Sequence, residues 1–141
     1  MRTGSETPRW FLDPENAGLV DFRLERDLAL AGLRNGRLGR SDLCDAHPEL
    51  MRAARSVGRR TRRDCPVCEE AKIVHVLFVF GDRLPSGGRC VKDLEELRKL
   101  VNRVDEAACY VVEVCPQCSW NHLAKMFLAG RAASQAPAGE A

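Results

Sequence analysis

The chain has no apolar run long enough to cross a membrane and no segment that resembles a secretory leader. Its longest apolar stretch, Ile73 to Phe80, is far shorter than the roughly 20 residues of a membrane helix, and His75 interrupts it. The first 12 residues lack the apolar core of a signal peptide. The composition, with 45% apolar residues, is also unlike that of a disordered chain. We therefore expect a folded, soluble, cytoplasmic protein.

Motifs that carry catalysis are also missing from the sequence. It contains no glycine-rich phosphate loop, no nucleophile elbow and no pair of carboxylates at a spacing typical of acid–base catalysis. Gly87 and Gly88 form only a short glycine pair in a predicted loop. We therefore expect a binding protein and not an enzyme.

The length of 141 residues fits one domain. Polar residues predict a flexible segment over residues 1–15, and small polar residues predict a disordered tail over 130–141. The single domain between them spans residues 16–129. We expect it to divide into a helical part, 16–60, and a metal-stabilised part, 61–129.

The helical part is predicted from apolar spacing and helix-ending residues. Four apolar residues recur at helical intervals: Val20, Leu24, Leu28 and Ala31. This helix should end near Gly36, and Pro48 fits the first turn of a second helix that ends at Gly58. Together they predict an N-terminal helical hairpin. Most such pairs do not bind DNA, so a helix-turn-helix is the less favoured interpretation.

The second part alternates between strand and helix signals. Ile73–Phe80 and Cys109–Val114 are rich in β-branched and aromatic residues, which predicts two strands. The residues after Cys118 fit a strand or a short helix, and we favour a strand because they follow a turn directly after another strand. Asp93 followed by Glu96 resembles a capping box and opens a predicted helix over 93–104.

Seven cysteines are many for this length, and their spacing indicates a metal site. An odd count, in a chain that we expect to lie in a reducing cytoplasm, argues against a disulfide framework. Four of them form two Cys-Pro-x-Cys pairs: Cys65, Cys68, Cys115 and Cys118. Two intervening residues allow a tight turn to present both sulfurs to one ion, and zinc prefers four ligands. The sequence therefore predicts one Zn²⁺ shared by pairs that lie 46 residues apart.

Four thiolates leave no open coordination position, so this zinc is expected to be structural. The alternative is that each pair is a dithiol redox switch. Cys44, His47 and His122 are candidates for a second ion or for hydrogen bonds near the first. The simpler interpretation makes Cys44 a packing residue and His47 a helix cap. Cys90, Cys109 and His75 are expected to be packing residues.

Three segments are the basis of a family resemblance: GRSDLCDAHPELMRAAR, CPVC with IVHVLFVFGD, and YVVEVCPQCSWNHL. They resemble an uncharacterised actinobacterial family of small zinc-ribbon proteins, domain of unknown function 5318. The similarity runs from about Val20 to Gly130. It implies a cytoplasmic protein with zinc at the four paired cysteines, but no reaction, substrate or partner. Ser119 stands where a glycine often follows a ribbon turn. This difference affects the expected conformation of the turn and not the four cysteine ligands.

The predicted fold class is α+β, with the helical hairpin packed on a small antiparallel zinc-ribbon sheet that has an inserted helix.

Six arginines and no acid lie between residues 52 and 63: Arg52, Arg55, Arg59, Arg60, Arg62 and Arg63. Guanidinium groups suit phosphate contacts, although such a run is also common on a solvated face. The run lacks aromatic residues, so base stacking would need Trp120, Phe78 or Phe80.

The function predicted first is therefore a non-catalytic zinc-ribbon module that contacts RNA, the ribosome or the transcription machinery. A protein–protein adaptor without nucleic-acid contact is the alternative. A thiol redox switch that uses the Cys-x-x-Cys pairs is the third hypothesis.

Overall fold

The computed structural model describes residues 19–81, 83–84 and 88–131. In chain order the elements are β1 (Val20–Asp21), α1 (Arg23–Arg34), α2 (Arg40–Leu43), α3 (Pro48–Val57), β2 (Arg59–Asp64), β3 (Lys72–Gly81), β4 (Arg89–Val91), α4 (Leu94–Val101), β5 (Ala107–Val114) and β6 (Asn121–Ala129). The predicted flexible segment 1–15 and nearly all of the predicted tail 130–141 lie outside the described residues. Among the helices described, none is long and apolar enough to span a bilayer.

A six-stranded antiparallel sheet forms the centre of the molecule. The strand order is β1-β6-β5-β3-β2, and β4 pairs with β3 beyond the end of β2. The long central pair is β3 and β5, which match from Val74 opposite Val114 to Gly81 opposite Ala107. Both strands are rich in β-branched residues, which pack well on a pleated surface. The predicted α+β class is confirmed, but the sheet has more strands than predicted.

The two long N-terminal helices lie on opposite faces of this sheet. Helix α3 packs its Met51 and Ala54 against Val74 and neighbouring valines. Helix α1 places Leu30 in a separate cluster with Ile73 and Trp120. Neighbouring residues of a strand point to opposite faces of the sheet. Because α1 packs near Ile73 and α3 packs near Val74, the two helices lie on opposite faces. The arrangement therefore differs from the predicted hairpin, in which the helices pack against each other.

Helix α1 also buries a different face from the one predicted. Val20 lies in β1, and Leu24 and Leu28 are 67% and 59% exposed. The buried residues are Leu30 and Gly32. A Cβ atom at Gly32 would lie 2.7 Å from Cδ1 of Leu38, so a larger residue here would require the Leu38 side chain to shift.

Strand β2 begins within the range predicted to be helical. Helix α3 ends at Val57, Gly58 after it has an extended backbone, and the arginine-rich residues that follow pair with β3. Thr61 is buried and its hydroxyl donates to the Ile73 carbonyl at 2.8 Å. Backbone pairing, and not an apolar pattern, thus makes this segment a strand. The predicted helix 93–104 is also shorter in the structure, because α4 ends at Val101.

Candidate metal centre

Two cysteine-containing turns lie at the same end of the sheet. Cys65 and Cys68 lie between β2 and β3, and Cys115 and Cys118 lie between β5 and β6. Because β3 and β5 are antiparallel neighbours, the start of β3 lies beside the end of β5. The sheet therefore brings together two cysteine pairs that are distant in sequence.

The four sulfur atoms are close enough to hold one metal ion. All of them lie within 4.8 Å of one another. The Sγ atoms of Cys65 and Cys118, and those of Cys68 and Cys115, are each 3.7 Å apart. A tetrahedron with metal–sulfur bonds of about 2.3 Å has edges of about 3.8 Å. These sulfur separations therefore fit a tetrahedral tetrathiolate centre.

The two turns present equivalent backbone donors to sulfur. In each, the amides two and three residues after the first cysteine point at its Sγ atom, at 3.3 and 3.5 Å from Cys65 and at 3.3 and 3.4 Å from Cys115. The Glu70 amide lies 3.4 Å from Sγ of Cys68. Amide donors stabilise thiolates over thiols.

Burial and crowding oppose this effect when no cation is bound. Burial raises the pKa of Cys115, and it raises the pKa of Cys118 further together with the adjacent thiols of Cys44 and Cys65. For Cys68, burial is the largest single effect, but the Glu70 amide and the neighbouring thiols together outweigh it and lower the pKa. Thiolates this close repel one another, so the donor set needs either protons or a soft cation.

Each turn contains one non-glycine residue in the left-handed backbone region. Glu69 has a φ of 58° and Ser119 a φ of 72°. Both directly follow the second cysteine of their pair. Ser119 therefore adopts the conformation for which a glycine is often used, as its position in the sequence suggested.

A fifth cysteine and an arginine border the cluster. Sγ of Cys44 lies 3.6 Å from Sγ of Cys118. The Arg40 side chain is exposed, and against a desolvation effect that lowers it, the nearby Cys44 and Cys118 raise its pKa. A cation at this place offsets the negative charge of a tetrathiolate. Arg40 was missed from sequence, although its position four residues before Cys44 places both on one helical side.

The two candidate histidines have other contacts. His47 Nδ1 accepts a hydrogen bond from the Glu49 amide at 3.0 Å and so caps α3. The ring of His122 stacks on Trp120 at 5.8 Å, and its Nδ1 lies 2.8 Å from the Leu123 carbonyl oxygen. Neither histidine belongs to the cysteine cluster found among the described residues.

The predicted packing cysteines lie in the sheet. Burial raises the pKa of Cys90 to about 11 and that of Cys109 to about 12. Both thiols are therefore neutral at pH 7 and belong to hydrophobic clusters.

The six candidate arginines do not form one surface. Arg52 pairs with Glu49 on α3, and Arg55 donates to the Pro116 carbonyl in the second cysteine turn at 3.2 Å. On β2, Arg60, Arg62 and Arg63 are exposed. Two of the β2 arginines lie near His75: Arg59 is its cross-strand partner, and Arg63 Nη2 lies 3.3 Å from its Nε2.

A buried carboxylate beside the centre was missed by the sequence analysis. Glu113 is 2% exposed, and its Oε2 accepts from Trp120 Nε1 at 2.7 Å and from Arg26 Nε at 2.8 Å. This ion pair ties α1 to the sheet. The sequence did contain one indication of this site: Glu113 shares the alternation of the buried residues Cys109 and Val111 in β5.

The family relationship of the chain follows from a match over nearly its whole length. A family model described as "Family of unknown function (DUF5318)" matches residues 14–141. The chain belongs to this family. It is 42% identical over 118 residues to uncharacterized proteins of Mycobacterium tuberculosis strain H37Rv and Mycobacterium bovis, which covers 84% of this chain and 86% of each relative. No solved structure gives a significant match. The resemblance stated from the sequence segments is thereby confirmed at the level of the family.

Proposed function

We propose that the chain is a non-catalytic zinc-ribbon module that binds RNA through exposed arginines at the edge of its sheet. The observation that supports zinc is the sulfur spacing of 3.7 Å in a donor set made only of cysteines. Soft thiolate ligands in a tetrahedron favour zinc among common cellular cations. When bound, zinc would supply a closed cross-link between the β2–β3 and β5–β6 turns.

The residues of the chain fit a structural and not a catalytic ion. Cys65, Cys68, Cys115 and Cys118 would occupy all four positions, which leaves none for substrate. Cys65 and Cys115 are fully buried, and the backbone amides of both turns point at sulfur. Arg40 would partly balance the net charge of −2 that such a centre carries.

The arginines of β2 support the RNA part of the proposal. Arg60 and Arg62 are exposed on an edge strand that leads directly into the first cysteine turn. The carboxylate of Asp64, two residues after Arg62, pairs with Lys72. Among the described residues neither Arg60 nor Arg62 has a salt bridge of its own. Unpaired guanidinium groups beside a rigid turn suit contact with backbone phosphates.

The test compares two double variants with equal loss of charge. Arg60→Ala/Arg62→Ala removes the edge-strand arginines, and Arg98→Ala/Arg103→Ala removes two exposed arginines of the α4 region. Binding of a fluorescent mixed-sequence single-stranded RNA is measured by anisotropy over a range of salt concentrations. We expect the first variant alone to weaken binding and to reduce the salt slope by about 2, because each lost phosphate contact contributes about 1. Zinc is measured on the same preparations by elemental analysis, with about one ion per chain expected.

Equal binding by the two variants would contradict the role of β2. Absence of zinc from freshly purified, reduced protein would contradict the metal assignment, whatever the RNA result.

An apolar patch favours the adaptor as a second candidate function. Five residues on the α3 face of the sheet surround a cavity of about 410 Å³: Phe78, Phe80, Tyr110, Val112 and Leu123. Phe80 is 36% exposed, and its ring meets Tyr110 edge-on at 5.3 Å. Exposed apolar patches often contact other proteins. This function would be favoured if a protein co-purifies with the chain after nuclease treatment but not with the Tyr110→Ser variant. It also requires that the unmodified chain does not bind RNA.

A further inference from the structure

The sheet face covered by α1 contains a cavity lined by charged side chains. It lies between the N-terminal half of α1 and strands β2, β3, β5 and β6, with a volume of about 370 Å³. Its polar lining is formed by Arg23, Arg26, Asp27, Arg63, His75, Glu113 and Lys125. This size is at the lower end of the range for small-molecule pockets, about 300–1,000 Å³.

Two cations of the cavity have no carboxylate partner among the described residues. Arg23 pairs with Asp21 at 3.0 Å, and Arg26 pairs with Glu113 at 2.8 Å. No carboxylate oxygen of a described residue lies within 4.0 Å of the side-chain nitrogens of Arg63 or Lys125. Asp27 also lines the cavity, and its carboxylate lies 3.8 Å from the Arg26 guanidinium. With Asp27 counted, the cavity has a surplus of about one positive charge, and Arg63 and Lys125 are its two cations without a close carboxylate.

This surplus disfavours the empty cavity. Burial, together with the nearby charges of Arg63, Lys125 and Arg59, lowers the pKa of His75 to about 4, so its imidazole is neutral at pH 7. Burial also lowers the pKa of Lys125, with Arg23 and Arg63 acting in the same direction and Asp21 opposing them. Like charges in a partly desolvated cavity repel one another, and a bound anion would relieve this repulsion.

We infer that the cavity binds a small phosphomonoester whose phosphate lies between Arg63 and Lys125. A phosphomonoester carries nearly two negative charges at pH 7, one for each of the two cations that have no close carboxylate. Guanidinium presents paired N–H donors to phosphate oxygens, and a lysine adds a compact charge. The apolar side chains of Phe22, Val111 and Ala124 line the rest of the cavity and suit the organic part of the ligand.

The inference does not rest on the proposed RNA function, because it uses Arg63 and Lys125 where that proposal uses Arg60 and Arg62. The phosphate can belong to a free metabolite or to the 5′ end of an RNA, and both present the same chemistry. The metal centre is not part of the cavity lining.

The test measures the thermal stability of the purified full-length chain with phenyl phosphate, a small aryl phosphomonoester. Chloride at equal ionic strength is the reference, and benzoate is the matched carboxylate. We expect phenyl phosphate to raise the melting temperature in a saturable way, because a ligand that binds only the folded state stabilises it. Benzoate should have a much smaller effect. The rise should be absent in Arg63→Gln/Lys125→Gln and preserved in Arg60→Ala/Arg62→Ala.

The ligand-free variant provides a second readout. Removing repelling cations should leave the melting temperature of Arg63→Gln/Lys125→Gln unchanged or higher, whereas a merely structural role for these residues would lower it. No rise with phenyl phosphate in the unmodified chain, an equal rise in the cavity variant, or an equal rise with benzoate would each overturn the inference. Tighter binding of 5′-phosphorylated than 5′-hydroxyl RNA, lost in the cavity variant, would identify RNA as the phosphate source. Equal binding of the two RNAs, with the phenyl phosphate response intact, would identify a free metabolite.

Discussion

At the scale of single residues, Ser119 combines an unfavourable backbone conformation with a position beside the metal centre. Its φ of 72° costs about 1–2 kcal/mol for a residue with a Cβ atom, and glycine avoids this cost. Glycine loses about 0.5–1 kcal/mol through greater freedom in the unfolded chain. We therefore expect Ser119→Gly to stabilise the protein by about 0.5–1 kcal/mol in urea unfolding.

The control for this prediction is the same substitution at a right-handed position. Ser56 lies in α3 and its hydroxyl donates to the Arg52 carbonyl at 2.9 Å. Ser56→Gly should destabilise the protein by about 1 kcal/mol. If both substitutions destabilise it equally, the strain at Ser119 is not relieved by glycine and the prediction is wrong.

Single residues also show what the sequence allowed us to predict about the site. The four paired cysteines were identified because ligand spacing within each turn is a local property. Arg40 and the Arg26–Glu113–Trp120 cluster were missed, because their partners come from distant segments. His47 has the helix-capping contact that one of its two interpretations described.

At the scale of elements, α1 shows the limit of apolar periodicity. Its sequence supports two helical faces, one with Leu24 and Leu28 and another with Leu30 and Leu33. The second face also contains Arg26, whose guanidinium reaches Glu113 inside the protein. Apolar spacing favoured the first face, because it counts only apolar residues and gives no weight to an arginine that points inward. Strand β2 was not predicted for a related reason: its residues are mostly charged, and they form a strand by pairing with β3.

The burial of α1 predicts opposite outcomes for the same substitution at two of its leucines. Leu30 is 7% exposed, so Leu30→Ala leaves a cavity beside Ile73 and Trp120 and should cost about 2–5 kcal/mol. Leu28 is 59% exposed, so Leu28→Ala should change the free energy of unfolding by less than about 0.5 kcal/mol. Urea unfolding of both variants measures the difference. A larger loss of stability for Leu28→Ala than for Leu30→Ala would support the buried helix face predicted from the sequence.

At the scale of the whole molecule, three apolar clusters share one sheet. The cluster around Trp120 includes Cys65 and Cys115, and the other two contain residues of β3 and β5. Because these two strands run through the whole sheet, disruption at the cysteine end should reach both remaining clusters. The molecule is therefore expected to unfold as one cooperative unit.

Metal removal tests this cooperativity. Structural zinc sites contribute about 10–16 kcal/mol, which matches or exceeds the net stability of about 5–15 kcal/mol of typical domains. We therefore expect a strong chelator under reducing conditions to unfold the protein at 25 °C. Hydrogen exchange should then show loss of protection along all of β3 and β5, and added zinc should restore it. Cys90→Ser, which alters a cysteine outside the cluster, should retain the metal and the protection. Loss of protection confined to residues 64–72 and 114–121 would show that the ion holds only the two turns, and that the clusters around Leu77 and Met51 fold without it.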